Sequence, residues 1–278
     1  MTDTRPTARI FDQPSALPFA SGTRRQRLAS GLCTLAVGVA TSLALPVLAS
    51  AQTTGTEGSS RTLSVSGTVT GNAALVSDYR FRGVSQTFGD PALQAGVDFA
   101  LPSNFYVGAW TSMVDKEIYA NTRGFKVDVY GGYRHDLGSG LLLDVGLRQY
   151  LYPNKSRFST LEAYAGISWE WLTFKYSHNL TNRYFGVENA RGSQYYDLTA
   201  RYPLGNGFAI VGHYGVTRVT HNPGDYTDYS LGVTKDWRGF VWSATLVNTD
   251  STFSFTNRAG RTRDLGDRAL VLGVAKTF

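Results

Sequence analysis

Fourteen charged side chains of this 278-residue chain fall on one parity of short alternating runs. Asp78, Arg80 and Arg82 alternate with Tyr79 and Phe81, and Asp98 lies between Val97 and Phe99. Lys126, Asp128 and Arg134, then Asp144 and Arg148, then Glu162, Lys175, Asp197, Arg201 and Asp228 continue the pattern. Seven are acids and seven are bases. Arginine can grip a carboxylate through two parallel hydrogen bonds, so cross-strand Asp–Arg pairs are expected. Asp144 and Arg148 stand two pleat steps apart, with Glu162 on the next segment. Two chemistries are open to such a set: bracing a filled interior, or lining a constriction that discriminates among solutes. The balance of signs predicts neither anion nor cation preference.

Catalysis finds no foothold in the same residues. The chain has no Gly-x-Ser-x-Gly elbow, no His-Glu-x-x-His pair and no phosphate loop. Of its four histidines, His213 is placed to face an interior and His178 follows Ser177, but neither has a nucleophile and an orienting group at a suggestive spacing. The single cysteine, Cys33, lies in the N-terminal segment, which leaves the rest without a thiol for a disulfide, a zinc cluster or a nucleophile. No catalytic residue, metal site or cofactor is expected.

The elements that must carry the charged residues are strands. Only 17% of residues are charged, against about 25% in ordinary soluble domains. Aromatic residues reach 13%, and there are 30 glycines and only two methionines. About twelve alternating segments can be drawn: 68–82, 92–101, 104–114, 124–136, 140–152, 159–169, 172–181, 193–203, 207–218, 226–236, 239–249 and 268–278. Connections after even-numbered segments are tight, as at Leu137-Gly138-Ser139-Gly140 and Leu204-Gly205-Asn206-Gly207, whereas those after odd-numbered segments are long, 250–267 being the longest. A soluble sandwich has no reason to gather its long loops at one end, and an outer-membrane barrel does. The expected fold is all-β: a transmembrane antiparallel up-and-down β-barrel of about 12 strands. In the fifth segment Leu141, Leu143, Val145, Leu147 and Leu151 form the lipid face, and Asp144, Arg148 and Tyr150 the inner one. Tyr150, Tyr152, Trp169, Trp171, Tyr202 and Trp237 near segment ends suit the bilayer boundary. Twelve strands at about 4.8 Å spacing and about 40° tilt enclose a backbone diameter near ~24 Å, leaving ~10 Å at most between side chains.

The termini fit export. Arg24, Arg25 and Arg27 precede an apolar stretch from Leu28 to Leu48 and the Ala49-Ser50-Ala51 site, so 1–51 is expected to be a secretory signal peptide, 52–63 a flexible lead and 64–278 the barrel. Glycine, threonine and proline interrupt that stretch, which argues against a retained anchor helix. Removing its five basic and two acidic residues brings the net charge from +6 to +3, with no basic patch for nucleic acid. The chain ends on Phe278, in phase with Leu270, Leu272 and Val274, an aromatic terminus of the kind the barrel assembly machinery recognises. Lys276 departs from the apolar residue usual at that register.

The segment VSDYRFRGVSQTFGDPALQAGVDF (76–99) resembles the opening of the TorF-type family of proteobacterial putative outer-membrane porins. FYVGAW (105–110), VDVYGGYRHDLGSGLLLDVGLRQYLYP (127–153), LEAYAGISW (161–169), YTDYSLGVTKDW (226–237) and the ending VAKTF extend the likeness in order. The resemblance implies an outer-membrane barrel with a pore function and carries over no catalytic residue. The expectation is a monomeric, narrow channel of the Gram-negative outer membrane for ions or small polar solutes, with the fourteen charged residues lining its pore. Its partners would be outer-membrane lipid and lipopolysaccharide, periplasmic chaperones, the assembly machinery and small solutes, but not nucleic acid. The alternatives are a filled structural barrel, a surface-binding barrel whose Arg258, Arg261 and Arg263 meet lipid phosphates, and, least favoured, a lipase-type enzyme.

Overall fold

A computed structural model describes residues 67–119, 124–221 and 224–278. The expected signal peptide, the lead and Cys33 lie outside the described residues. Twelve long strands form the wall: β1 Thr68–Val76, β2 Ala92–Ala100, β3 Phe105–Met113, β4 Phe125–Gly138, β5 Leu141–Leu151, β6 Thr160–Trp169, β7 Leu172–Asn179, β8 Gln194–Gly205, β9 Phe208–Arg218, β10 Tyr226–Trp237, β11 Phe240–Thr249 and β12 Ala269–Thr277. Each pairs antiparallel with its neighbours in sequence, and β1 pairs with β12 to close the barrel. Gly71 and Phe278 exchange backbone hydrogen bonds of 3.2 and 2.8 Å at that seam. Closure removes the edge strands that would otherwise expose unpaired backbone groups.

All the tight turns lie at one end of the barrel. At Asn206-Gly207 both residues have positive φ, 50° and 78°, the combination that lets a two-residue hairpin follow the strand twist. The six longer connections lie at the other end. The exterior is apolar: Leu93, Val107, Leu147, Leu231, Leu246 and Leu270 all point outward and are exposed. Trp169, Trp171, Tyr202 and Trp237 are exposed near the turn end, where an amphipathic ring meets a bilayer boundary. Such a wall suits hydrocarbon. Lys276 shares the outward parity, and its ammonium lies 5.1 and 5.2 Å from the Phe240 and Phe278 rings, so its aliphatic stem can lie on the wall while its charge stays at the rim.

Three expectations need correction. Alternation through residue 82 suggests one long first strand, but β1 stops at Val76 and the chain turns into the barrel. Asp78, Arg80 and Arg82 therefore lie on an inward loop, whose short hairpin pairs Arg80–Phe81 with Val84–Ser85. Tyr150 and Tyr152 are buried inside rather than placed at a bilayer boundary. The longest connection, 250–267, whose length and polar residues suggest a mobile, solvated loop, instead folds as a hairpin, Ser254–Thr256 with Thr262–Asp264, and buries Phe253 and Leu265 against the inward loop.

Candidate functional site in the barrel lumen

The lumen divides into a packed end and an open end. At the long-loop end every residue from Asp78 to Phe88 is buried. The segment turns into the mouth from β1 and reaches β10 and β11, where Gly83 packs against Thr249 and the Asp228 side chain. Its own core is a carboxylate: Asp78 accepts hydrogen bonds from Arg80 Nε at 2.6 Å, Ser85 Oγ at 2.6 Å and Thr87 Oγ1 at 3.0 Å. Arg80 also donates to the Asp267 carbonyl (2.7 Å) and carboxylate (3.0 Å), which joins the loop to 250–268. Tyr119 donates to the Gln86 side chain. Burial pushes the Tyr119 phenol well above its usual range, so it stays a donor.

The wall residues facing this plug are among the most buried in the molecule. Lys126 and Asp128 are 0% exposed and Glu162 is 1% exposed. Lys126 Nζ lies 3.5 Å from Asp128, 3.2 Å from the Tyr79 hydroxyl and 3.6 Å from the centre of the Phe81 ring. Arg82 Nη2 reaches both Glu162 oxygens, at 3.0 and 3.1 Å. Plug and wall are in direct contact at this level.

Toward the turn end the interior opens. Ser230, Ser243, Thr245, Gly273, Asn72 and Gly96 face inward yet are only partly buried, so solvent reaches them. These small neutral residues form one side of the lumen, from β10 through β12 and β1 to β2. The opposite side carries charge. Arg134, Asp144, Gly166, Lys175, Asp197, Gly215 and Asp228 are successive register partners from β4 to β10. Arg134 and Asp144 form a cross-strand pair at 3.2 Å. Arg148 is in register with Glu162, but Glu162 turns to Arg82 of the plug instead. Tyrosines fill the glycine gaps and carry the bases on their faces: Arg134 over Tyr106 at 4.2 Å, Arg148 over Tyr130 at 4.8 Å and Lys175 over Tyr164 at 4.3 Å. Asp98 accepts from the Tyr130 hydroxyl at 2.8 Å.

Gly132 shows how tightly one of these rings is seated. A Cβ there would lie 2.5 Å from the Val145 carbonyl oxygen and 2.7 Å from the Tyr106 hydroxyl. Gly132→Val is therefore expected to destabilise the barrel by about 1–3 kcal/mol through overpacking. Urea unfolding in detergent micelles checks it, and an unchanged midpoint would mean that the ring is not held there.

Of the fourteen charged residues expected on strands, eleven lie on wall strands and face inward: Asp98, Lys126, Asp128, Arg134, Asp144, Arg148, Glu162, Lys175, Asp197, Arg201 and Asp228. They do not form one ring. Lys126, Asp128, Glu162 and Asp228 belong to the packed end, and the others lie nearer the open part. His213 does face the lumen, with Nδ1 3.2 Å from Asp197 and Nε2 2.9 Å from Asp228, so carboxylates flank both nitrogens. His178 points outward beside Tyr176, at 2.9 Å from its hydroxyl, and cannot work with the inward Ser177. Sequence reasoning missed Tyr106, Tyr130 and Tyr164 as partners of the bases. The signal was present, because Tyr130 and Tyr164 share parity with the charges of their own strands and all three face a glycine on a neighbouring strand.

Residues 60–278 match the family described as bacterial protein of unknown function (Gcw_chp). The chain belongs to this family. No curated protein matches its sequence. Among solved structures it is similar to the KdgM porin, with TM-score 0.48, 8% identity, and coverage of 76% of this chain and 98% of that one. The NanC porin gives TM-score 0.47 at 10% identity, covering 75% and 98%. The translocator domain of the autotransporter NalP from Neisseria meningitidis gives 0.39 at 13%, covering 76% and 88%.

Proposed function

We propose that this Gcw_chp member is a non-enzymatic channel of the Gram-negative outer membrane, passing ions or small polar solutes through a narrow charged lumen that rests closed beneath the 77–91 loop. The observation that carries the reading is the contrast between the two faces of one closed wall. The exterior is apolar, while the interior is charged and, on the turn side of the packed level, partly exposed. The resemblance of 76–99 to TorF-type putative porins supports the same reading. Residues 1–51 would direct export and be removed, and Phe278 would present the assembly signal on arrival. The turn end then faces the periplasm and the loop end the cell exterior, as in barrels of this class. The flanking of His213 by two carboxylates supports a structural imidazole over a catalytic one.

Planar-bilayer recording tests the proposal. The intact protein is expected to give rare conductance steps. A variant with 79–87 replaced by a short Gly-Ser turn should give frequent ones, because the packed level is lost. If the loop-shortened barrel inserts and gives no steps, the channel reading fails. A second reading, a filled barrel that presents a surface, is favoured by the burial of Phe253 and Leu265 beneath the long loops. It predicts that the shortened barrel stays silent, while lipopolysaccharide binding disappears when 254–264 is removed.

A further inference from the structure

Arg82 occupies a pocket whose walls, apart from the adjoining Phe81 ring, come from other parts of the chain. Its guanidinium meets both oxygens of Glu162 on β6 and donates to the Tyr184 hydroxyl in the 180–193 connection. The ring of Tyr195 on β8 lies 3.8 Å from its carbon, and the rings of Phe81, Tyr184 and Phe185 each lie at 5.7 Å. A carboxylate set among aromatic faces is the chemistry that recognises a desolvated organic cation.

Contacts that do not involve Arg82 also fix these walls. Tyr150 donates to Glu162 at 3.1 Å, and Tyr195 donates to Asp228 at 3.1 Å. The Phe185 amide donates to Thr160 Oγ1 at 2.9 Å. Asn179 pins the 180–193 connection by donating to the carbonyls of Thr181, Arg183 and Ala190. Arg80, in contrast, is held by Asp78 of its own loop and by Asp267 of the 250–268 connection. Arg82 is thus the arginine by which the loop docks on the far side of the barrel, and the cage it enters is built without it.

We propose that Glu162, Tyr184, Phe185 and Tyr195 form a recognition site for guanidinium-bearing solutes, which Arg82 of the protein's own loop fills while the barrel is closed. The proposal rests on the channel reading and names its solute class. A cationic solute reaching the pocket competes with Arg82, and its binding frees the loop that closes the lumen.

Arg82→Ala is expected to raise the fraction of open time about 10- to 100-fold, in line with the loss of a charged hydrogen-bonded pair. Millimolar guanidinium chloride should bind the vacated pocket of this variant and change its conductance, whereas sodium chloride at equal strength should not. The Arg82→Ala/Glu162→Gln double variant should be indifferent to both. Calorimetry of the detergent-folded variants with guanidinium chloride reads the same site without conduction. Binding to Arg82→Ala, with none to the double variant, supports the site even if no barrel conducts, in which case only the channel reading falls. An open Arg82→Ala barrel that neither binds nor responds to guanidinium overturns the site and leaves the channel standing. Should Arg82→Ala not fold, Arg82→Lys keeps the charge but loses the two-pronged grip. It is then expected to open more often than the native protein and to bind guanidinium, and failure on both counts overturns the proposal.

Discussion

Replacing Lys126 with methionine is expected to destabilise the protein by about 3–5 kcal/mol, the usual consequence of leaving one member of a buried ion pair alone. Lys126 and Asp128 project from the same face of β4, both without solvent contact, with their charged atoms 3.5 Å apart. Methionine fills most of the space of the lysine stem, so the loss falls on the carboxylate that stays behind rather than on a cavity. The loss has two routes by which to appear. Either the whole wall unfolds at lower denaturant, or the 77–91 loop undocks and lets water reach Asp128. Lys126 also lies 3.6 Å from the centre of the Phe81 ring, so removing it weakens loop docking directly. Urea unfolding in detergent and protease cleavage within 77–91 therefore need to be read together. The double variant Lys126→Met/Asp128→Asn removes both charges and is expected to recover most of the loss. If the single variant shows neither a lower midpoint nor faster cleavage, the pair is not buried as described.

The wall was legible in the sequence because a strand between lipid and lumen has two unlike faces, and alternation records that difference directly. All twelve wall strands lie within the expected segments or extend one to two residues beyond them. The plug was not legible by the same rule. Asp78, Tyr79, Arg80, Phe81 and Arg82 alternate as regularly as any wall strand, yet both sides of this segment are buried in protein. Alternation shows that two sides differ, and it does not identify what each side meets. Length was the available signal. A strand over 68–82 would hold more residues than the roughly 9–11 a tilted strand needs to cross a bilayer. Tyr150 carried a parity signal of its own. It shares phase with Asp144 and Arg148, which places it inside, although its position near a strand end suggests a boundary ring. The partner of Glu162 was beyond reach, since choosing Arg82 over the in-register Arg148 depends on a loop entering from a distant part of the sequence.

Leu231→Arg tests the medium around the wall. Leu231 is 61% exposed at the middle of β10, and its outward row continues through Leu246 and Leu270 in direct register. If hydrocarbon surrounds that row, an arginine there should cost about 2–4 kcal/mol, falling to about 0–1 kcal/mol near the interfaces. Leu204 supplies the second depth. It is equally outward and exposed, but it lies at the turn end of β8, where an arginine can extend into the headgroup region. Reversible unfolding from phospholipid vesicles should therefore show a large loss for Leu231→Arg and almost none for Leu204→Arg. Water around the wall would reverse the expectation, because charge would then be tolerated at both depths and Leu231→Arg would improve solubility. A partner protein around the wall would penalise both positions alike. The difference between the two positions therefore separates lipid from either alternative, and equal losses would remove the membrane reading on which the channel depends.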